Sequence, residues 1–325
     1  MNILIIGSNF GSKIHLDCLS KLKGHQDITI CSPNIFKKKN IKKNIKKVSS
    51  YEHVLQNESF DLVICATTPL TQYKVIKFIF KMKIRIKGLV IEKPIANNFK
   101  NSKKCIDLLN NAKIPYIVNF IFSQLDGYHK LKSFLQINQF DKISYKWRFQ
   151  QAYFRNRLTT WKIVPKLGGG LVKFYAIHAI YHMIDLLKLK KTTKININKI
   201  NNTKGIITSL IFDLIDKNNK ICVESFINSK NNIHSLNFEN KAMNLSLINK
   251  SKDWTKKFKL MKNRKFLSFK EENRTSLSRK NINILLELIK KNKKKINKNY
   301  IDNILLAHYF CEKIQNKIKN IDNCN

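Results

Sequence analysis

A chain of 325 residues with 43% hydrophobic side chains can bury a sizeable core and is long enough for two domains. No apolar run approaches the roughly 18 residues that a membrane-spanning helix needs. The net charge of +41 comes almost wholly from lysine, since only seven of the 62 basic residues are arginine. Lysine rises together with Asn and Ile, as an AT-rich coding sequence would produce, and the lysines spread along the whole chain. This reads as compositional bias rather than a nucleic-acid footprint, because base-reading proteins favour Arg. The basic runs at 37–47 and 290–298 read as solvated helix ends or loops. Seven cysteines without a CxxC pair read as reduced cytosolic thiols. The first seven residues lack the basic region of a signal peptide. The expectation is a cytoplasmic protein with no nucleic-acid and no membrane partner.

The first 120 residues alternate strand and helix signals. Apolar strands are predicted at 3–6, 28–31, 62–66, 89–91 and 116–120. Helices are predicted at 11–22, 51–56, 71–82 and 101–111, and 36–48 reads as a basic helix. Continuous apolar strands separated by helices predict a parallel sheet covered on both faces, the doubly wound α/β (Rossmann) architecture.

After about residue 121 the pattern changes. Helical spacing at 126–135 is followed by strand-like stretches at 143–149, 206–214, 221–227, 234–238 and 243–248, with a helix at 171–187 between them. Two more helices are predicted at 276–290 and 300–318, then a frayed tail at 320–325. This predicts a dinucleotide-binding domain over 1–121 and, over 122–325, an α+β domain with a large, mostly antiparallel sheet.

Four motifs carry chemistry. Only nine glycines occur, against roughly 23 for an average chain of this length, so those that persist mark positions where little else fits. The first motif, Gly7-Ser8-Asn9-Phe10-Gly11-Ser12-Lys13-Ile14-His15, follows a strand and opens a helix. Such a turn offers backbone N–H groups and a helix dipole to a dinucleotide pyrophosphate. A strict GxGxxG needs Gly at 9 and 12; Asn9 is the non-glycine residue that best tolerates a left-handed conformation. A tight turn without a ligand is the alternative. The second and third motifs, Cys65-Ala66-Thr67-Thr68-Pro69 and Glu92-Lys93-Pro94, end two strands, on the edge where open α/β sheets bind ligands. The fourth runs from Gly168-Gly169-Gly170 to His178 and on through Tyr181, His182 and Asp185. His178 and His182 share a helix face. Imidazole there is either a proton-transfer group or a buried core side chain. No third ligand stands at a recognisable spacing, so no metal site is expected.

In order and spacing, the four motifs resemble the Gfo/Idh/MocA oxidoreductases (glucose-fructose oxidoreductase, inositol dehydrogenase and relatives). The family's GxGFGxxxH, ATPP, EKP and GGGxLxDxGxHxxD correspond to GSNFGSKIH, ATTP, EKP and GGGLVKFYAIHAIY. The match runs from residue 3 to about 190. The resemblance implies that Gly7, Asn9, Phe10 and Gly11 lie under the cofactor pyrophosphate, and that Thr67 and Pro69 flank the nicotinamide half. Glu92 and Lys93 would sit near the nicotinamide ribose, with Lys93 also reaching the reacting hydroxyl or carbonyl. His178 would be the general acid/base, meeting Lys93 over the same nicotinamide ring. Trp161-Lys162 resembles a frequent Trp–basic pair, with Lys162 facing a small-molecule substrate. Homo-oligomers through the open sheet face are common in the family.

The departures are informative. Where the family has Asp, Gly and Asp, this chain has Phe174, Ala176 and Tyr181. A register shift of four would put His182 and Asp185 on the HxxD positions, at the cost of an insertion within a helix. Losing both carboxylates predicts a more aromatic pocket, with Tyr175 and Tyr181 stacking on a sugar or nucleotide ring or serving as core. The second strand ends in Ser32-Pro33-Asn34 rather than an acid, with Lys37, Lys38 and Lys39 behind it. This tolerates a 2′-phosphate and favours NADP over NAD. The expected activity is hydride transfer to or from a sugar or sugar derivative, such as those built into surface glycans. The alternative is a catalytically degenerate, cofactor-binding regulator on the same fold.

Overall fold

The computed structural model describes residues 1–9, 11–37, 41, 45–156, 158, 160–216, 219–253, 256–292 and 297–324. The chain forms two compact units. One comprises Met1–Ile121 and Arg274–Asp302, the other Phe122–Asn273 and Asn303–Asn325.

In the first unit, β1 (Asn2–Ile6), β2 (Asp27–Cys31), β3 (Lys46–Val48), β4 (Leu62–Cys65), β5 (Gly88–Ile91) and β6 (Tyr116–Val118) alternate with α1 (Leu16–Leu19), α2 (Tyr51–Asn57), α3 (Pro69–Lys81) and α4 (Phe99–Asn111). All six strands are parallel, in the order β3-β2-β1-β4-β5-β6. This is the doubly wound dinucleotide order, which reverses between β1 and β4. The central strands are apolar throughout because helices cover both faces; every residue of β4 and β5 is buried. Three of these helices, α2, α3 and α4, begin where a side chain caps them. Ser50, Thr68 and Asn98 accept from backbone N–H groups three residues on. A basic helix was expected at 36–48; the described residues there take other forms. Ile35–Lys37 is a single 3₁₀ turn, and Lys46–Val48 pairs with β2 as the edge strand. Sheet pairing outweighs the local lysine composition there. Lys38, Lys39 and the rest of 38–40 and 42–44 lie outside the described residues.

The second unit contains α5 (Asp126–Ile137), β7 (Lys142–Gln150), α6 (Ala152–Arg155), α7 (Ile177–Leu187) and β8 (Lys194–Thr203), then β9 (Ile206–Asp216), β10 (Asn219–Phe226), β11 (Asn228–Glu239), β12 (Asn244–Asn249), β13 (Lys259–Lys262) and β14 (Lys265–Leu267). The eight strands form one sheet, β14-β13-β12-β11-β7-β10-β9-β8, antiparallel except for the β7–β10 pair. Ile143, Tyr145, Trp147 and Phe149 on β7 alternate with less buried residues, the period of a sheet whose two faces meet different surroundings. β8, β13 and β14 were not expected from the sequence: β13 and β14 are only four and three residues long, and the alternation of Ile195 and Ile197 in β8 gives way to a largely polar second half.

Two helices complete the chain: α8 (Arg274–Lys290) and α9 (Lys298–Cys324). The buried residues Ile304, Ala307, Cys311, Ile314 and Ile318 of α9 follow a spacing of three or four, the stripe of an amphipathic helix. This helix runs on to Cys324, where a frayed tail was expected. The assignment of 274–302 to the second domain also needs correction. Ile282 and Leu285 of α8 join one apolar cluster with Ile3, Ile5, Ile30, Ile64 and Val90. An amphipathic pattern announces a buried face without saying which core receives it. Among the described residues, no helix is long and apolar enough to cross a membrane. Because Leu285 is fully buried in that cluster, Leu285→Ala should destabilise the first unit by about 2–5 kcal/mol, read from urea unfolding.

Candidate functional site

The parallel register brings the ends of the strands into one row. Ile6 lies beside Cys31 and Cys65, Cys65 beside Ile91, and Ile91 beside Val118. The next residue of each strand continues the ladder: Gly7 N–H donates to Cys31 O at 2.9 Å, Ala66 N–H to Ile6 O at 2.8 Å, Glu92 N–H to Cys65 O at 3.0 Å and Asn119 N–H to Ile91 O at 2.8 Å. Gly7, Ser32, Ala66-Thr67, Glu92-Lys93 and Asn119 therefore occupy one carboxyl edge. Most of the dinucleotide-binding candidates meet on this edge.

Gly7 has φ +127°, and a Cβ there would lie 2.1 Å from the Ala66 carbonyl oxygen. The first and second motifs are thus in backbone contact, and only glycine permits it. Ser8 Oγ donates to Ser32 Oγ at 3.0 Å, tying the turn after β1 to the end of β2. The Asn9 carbonyl accepts from Lys13 N–H. Gly11–His15 winds as one π-helical turn, without an acidic residue, into α1. Phe10 lies outside the described residues. Thr67 precedes Thr68, whose hydroxyl caps α3, and Pro69 is the first residue of that helix.

The Glu92-Lys93-Pro94 turn is held by groups that the sequence reading passed over. Gln72 of α3 is fully buried. Its Oε1 accepts from Glu92 N–H at 3.0 Å, and its Nε2 donates to Glu92 O at 3.0 Å and Pro94 O at 2.8 Å. His15, also fully buried, places Nε2 3.0 Å from Glu92 Oε1. Asn119 Nδ2 donates to the same oxygen at 2.7 Å. The last position of GxGFGxxxH was the only sequence signal for any of these contacts.

In the second unit crowding accounts for the middle glycine of the three, and Gly168 and Gly170 on either side have positive φ (89° and 85°). A Cβ on Gly169 would lie 2.2 Å from the Trp161 carbonyl oxygen and 2.7 Å from the Lys162 carbonyl carbon. The glycine turn and the Trp161-Lys162 pair are therefore packed backbone to backbone. Phe174, standing where the family has Asp, meets Trp161 edge-on at 5.1 Å. Lys162 Nζ lies 5.5 Å from the centre of the Phe174 ring, a cation–π contact where an acid would have made an ion pair.

Leu171–Ala176 is a π-helical turn leading into α7. Tyr175, His178, Tyr181 and His182 on this stretch are all buried. His178 is 2% exposed and meets Phe122 and Trp147 edge-on at 5.1 and 5.4 Å. Tyr175 packs 5.5 Å from Phe149. His182 sits against Tyr128 and Tyr145, and neither ring nitrogen has a hydrogen-bond partner among the described residues. Asp185 accepts from Tyr128 Oη at 2.9 Å and Lys132 Nζ at 2.7 Å. Burial works to raise its pKa, but Lys132 and Tyr128 outweigh this and hold it below the usual carboxylate range. Among the described residues, no group of three or more His, Cys, Asp or Glu could hold a metal ion.

Residues 1–120 match the oxidoreductase family with an NAD-binding Rossmann fold, Gfo/Idh/MocA. The first 120 residues are a Gfo/Idh/MocA domain. An uncharacterized oxidoreductase of Synechocystis sp. (strain ATCC 27184 / PCC 6803 / Kazusa) is 22% identical over 189 residues, 56% of this chain and 50% of that relative, so the match spans half of the relative's length. Beyond the matched domain, likeness to solved structures shows a shared fold. Biliverdin reductase from Synechocystis sp. PCC 6803, solved with biliverdin and NADP+, has a TM-score of 0.74 at 13% identity over 96% of both chains. A super-repressor mutant of Gal80p from Saccharomyces cerevisiae has a TM-score of 0.78 at 13% identity, covering 96% of this chain and 94% of that one. A 3-ketoreductase from Actinomadura kijaniata, with TDP-benzene and NADP, has a TM-score of 0.75 at 10% identity over 96% of both chains. The Gfo/Idh/MocA domain thus sits in a chain whose fold is shared by reductases and by a protein named as a repressor.

Two predictions follow from this geometry. Gly169→Ala should cost about 1–3 kcal/mol in urea unfolding, because the added methyl meets backbone that can yield only by moving the Trp161-Lys162 turn. Burial pulls the pKa of His182 from 6.5 to about 3, with Asp185 opposing in part, and burial takes His308 to about 4. Both stay neutral when folded, whereas the unfolded chain takes up protons near 6.5. Stability attached to them is therefore intact above about pH 6.5 and declines as the pH falls toward 4 and then 3. The melting temperature should drop between pH 7 and pH 5, and His182→Phe should flatten that slope.

Proposed function

We propose that this protein is an NADP-dependent oxidoreductase that moves a hydride to or from a sugar or sugar derivative of the kind used in surface glycans. The observation that carries the reading is the single row at the carboxyl edge of the parallel sheet, where Gly7, Ser32, Thr67 and Glu92-Lys93 converge. The residues present fit a dinucleotide. Gly7 lets two turns approach, and the first helical turn after Gly11 carries no carboxylate to repel a pyrophosphate. Ser32 ends β2 with a hydroxyl instead of an acid, which admits a 2′-phosphate. Gly7, Asn9 and Gly11 would hold the pyrophosphate, Ser32 the adenine ribose, and Thr67, Pro69, Glu92 and Lys93 the nicotinamide half.

When bound, the nicotinamide supplies the hydride donor or acceptor. Lys93 would stabilise the negative charge that develops on the reacting oxygen, and His178 would exchange its proton. With Phe174 and Tyr181 at the family's acidic positions, the substrate would meet aromatic surface and Lys162 instead of carboxylates.

A second reading, a cofactor-binding regulator without turnover, is favoured by one observation: His178 is buried against Phe122 and Trp147. Fluorescence titration with NADPH and NADH, followed by turnover assays on nucleotide-linked and free sugars, separates the two readings. Wild-type protein should bind NADPH more tightly than NADH. Ser32→Glu should weaken NADPH by about tenfold or more, since like charges in contact repel strongly. Lys93→Met and His178→Phe should each lower turnover by about a hundredfold or more while leaving the protein folded. Binding without turnover on any sugar favours the regulator, and absence of binding to either cofactor removes both readings.

A further inference from the structure

We propose that Gln72 and His15 are positioning residues that set the Glu92-Lys93-Pro94 turn for the nicotinamide half of the cofactor. The proposal rests on the reading of this sheet edge as the dinucleotide site.

Gln72 acts as a strand partner made from a side chain. Its amide meets both the N–H and the C=O of Glu92, then donates again to Pro94 O at 2.8 Å and, more weakly, to Ile95 O at 3.4 Å. A primary amide carries a donor and an acceptor on separate atoms in one plane, whereas an ionised carboxylate only accepts and a hydroxyl must offer both from a single oxygen. Because Gln72 is fully buried, no water competes for these bonds. The backbone on both sides of Lys93 is therefore held to one side chain of α3.

The Glu92 carboxylate is fixed from two further directions. His15, from the turn after β1, and Asn119, from the end of β6, meet the same oxygen at 3.0 and 2.7 Å. Asn119 is itself braced by α8: its Oδ1 accepts from Asn281 Nδ2 at 2.8 Å, and its Nδ2 lies 3.3 Å from Ser278 Oγ. Three separate elements thus spend polar groups on one three-residue turn at the edge of an otherwise apolar sheet. An apolar plug would stabilise the fold as well or better, whereas fixed hydrogen bonds place a turn to within a fraction of an ångström. Holding Glu92 and Pro94, the residues on either side of Lys93, fixes the Cα position from which Lys93 must reach.

The test compares the whole cofactor with its adenine half in the full chain. Dissociation constants are measured for NADPH and for 2′,5′-ADP (NADH and 5′-AMP if NADH binds more tightly), with melting temperatures as a check on folding. Gln72→Leu and His15→Leu should weaken the whole cofactor by about tenfold, while the adenine half binds within about twofold of wild type. His15→Gln, whose amide can still donate to Glu92, should recover most of the loss. If Gln72→Leu does not fold, the two His15 variants decide. Equal weakening of both ligands, or unchanged binding of both in folded variants, overturns the positioning role. Wild-type protein that binds neither NADPH nor NADH overturns the dinucleotide reading itself, and the proposal with it.

Discussion

A methyl group at position 7 would lie 2.1 Å from the Ala66 carbonyl oxygen, and this steric limit organises the first unit's edge. Because residue 7 has no side chain, the turn after β1 can lean on the end of β4 at the point where the strand order reverses. The crevice of a doubly wound sheet opens there. The Ser8–Ser32 hydrogen bond extends the same turn toward β2, and the π-helical turn at Gly11–His15 carries His15 back to Glu92. The turns after β1, β2, β4, β5 and β6 are connected through backbone contact or hydrogen bonds, although each comes from a different stretch of sequence.

The buried histidines of this protein differ according to what surrounds them. His15 is fully buried yet faces a carboxylate, so its ring nitrogen has a charged partner. His182 is equally buried among aromatic rings, and burial keeps it neutral. His234, in the same aromatic cluster, meets Tyr145 Oη at 2.6 Å and stacks on Trp147. The chemistry near the triple glycine is correspondingly aromatic. Phe174 receives the Lys162 cation on its ring face, and Asp185 is committed to Tyr128 and Lys132.

Much of the first unit was legible in the sequence because a parallel sheet buried on both faces leaves a loud signal. Runs such as Leu62–Cys65 and Gly88–Ile91 are apolar without interruption. The fold class followed from that alternation, and the four motifs followed from glycine scarcity and strand-end placement. The edge strand Lys46–Val48 was not legible, since its lysines look like a solvated helix until β2 pairs with them. Nor were Gln72 and Asn119, which look like ordinary polar residues in a chain rich in Asn and Lys.

By itself, then, the sequence determined the two architectures, the order of the motifs and the residue types at each turn, because hydrophobic period and glycine placement are local properties. Tertiary structure alone decided that α8 belongs with the first sheet, that His15 and Asn119 share one oxygen of Glu92, and that Gln72 clasps the turn holding Lys93. Those contacts join residues 20 to 77 positions apart in sequence, and in the case of α8 more than 150. Only the packed sheet brings such groups within hydrogen-bond reach, so no local pattern could have announced them.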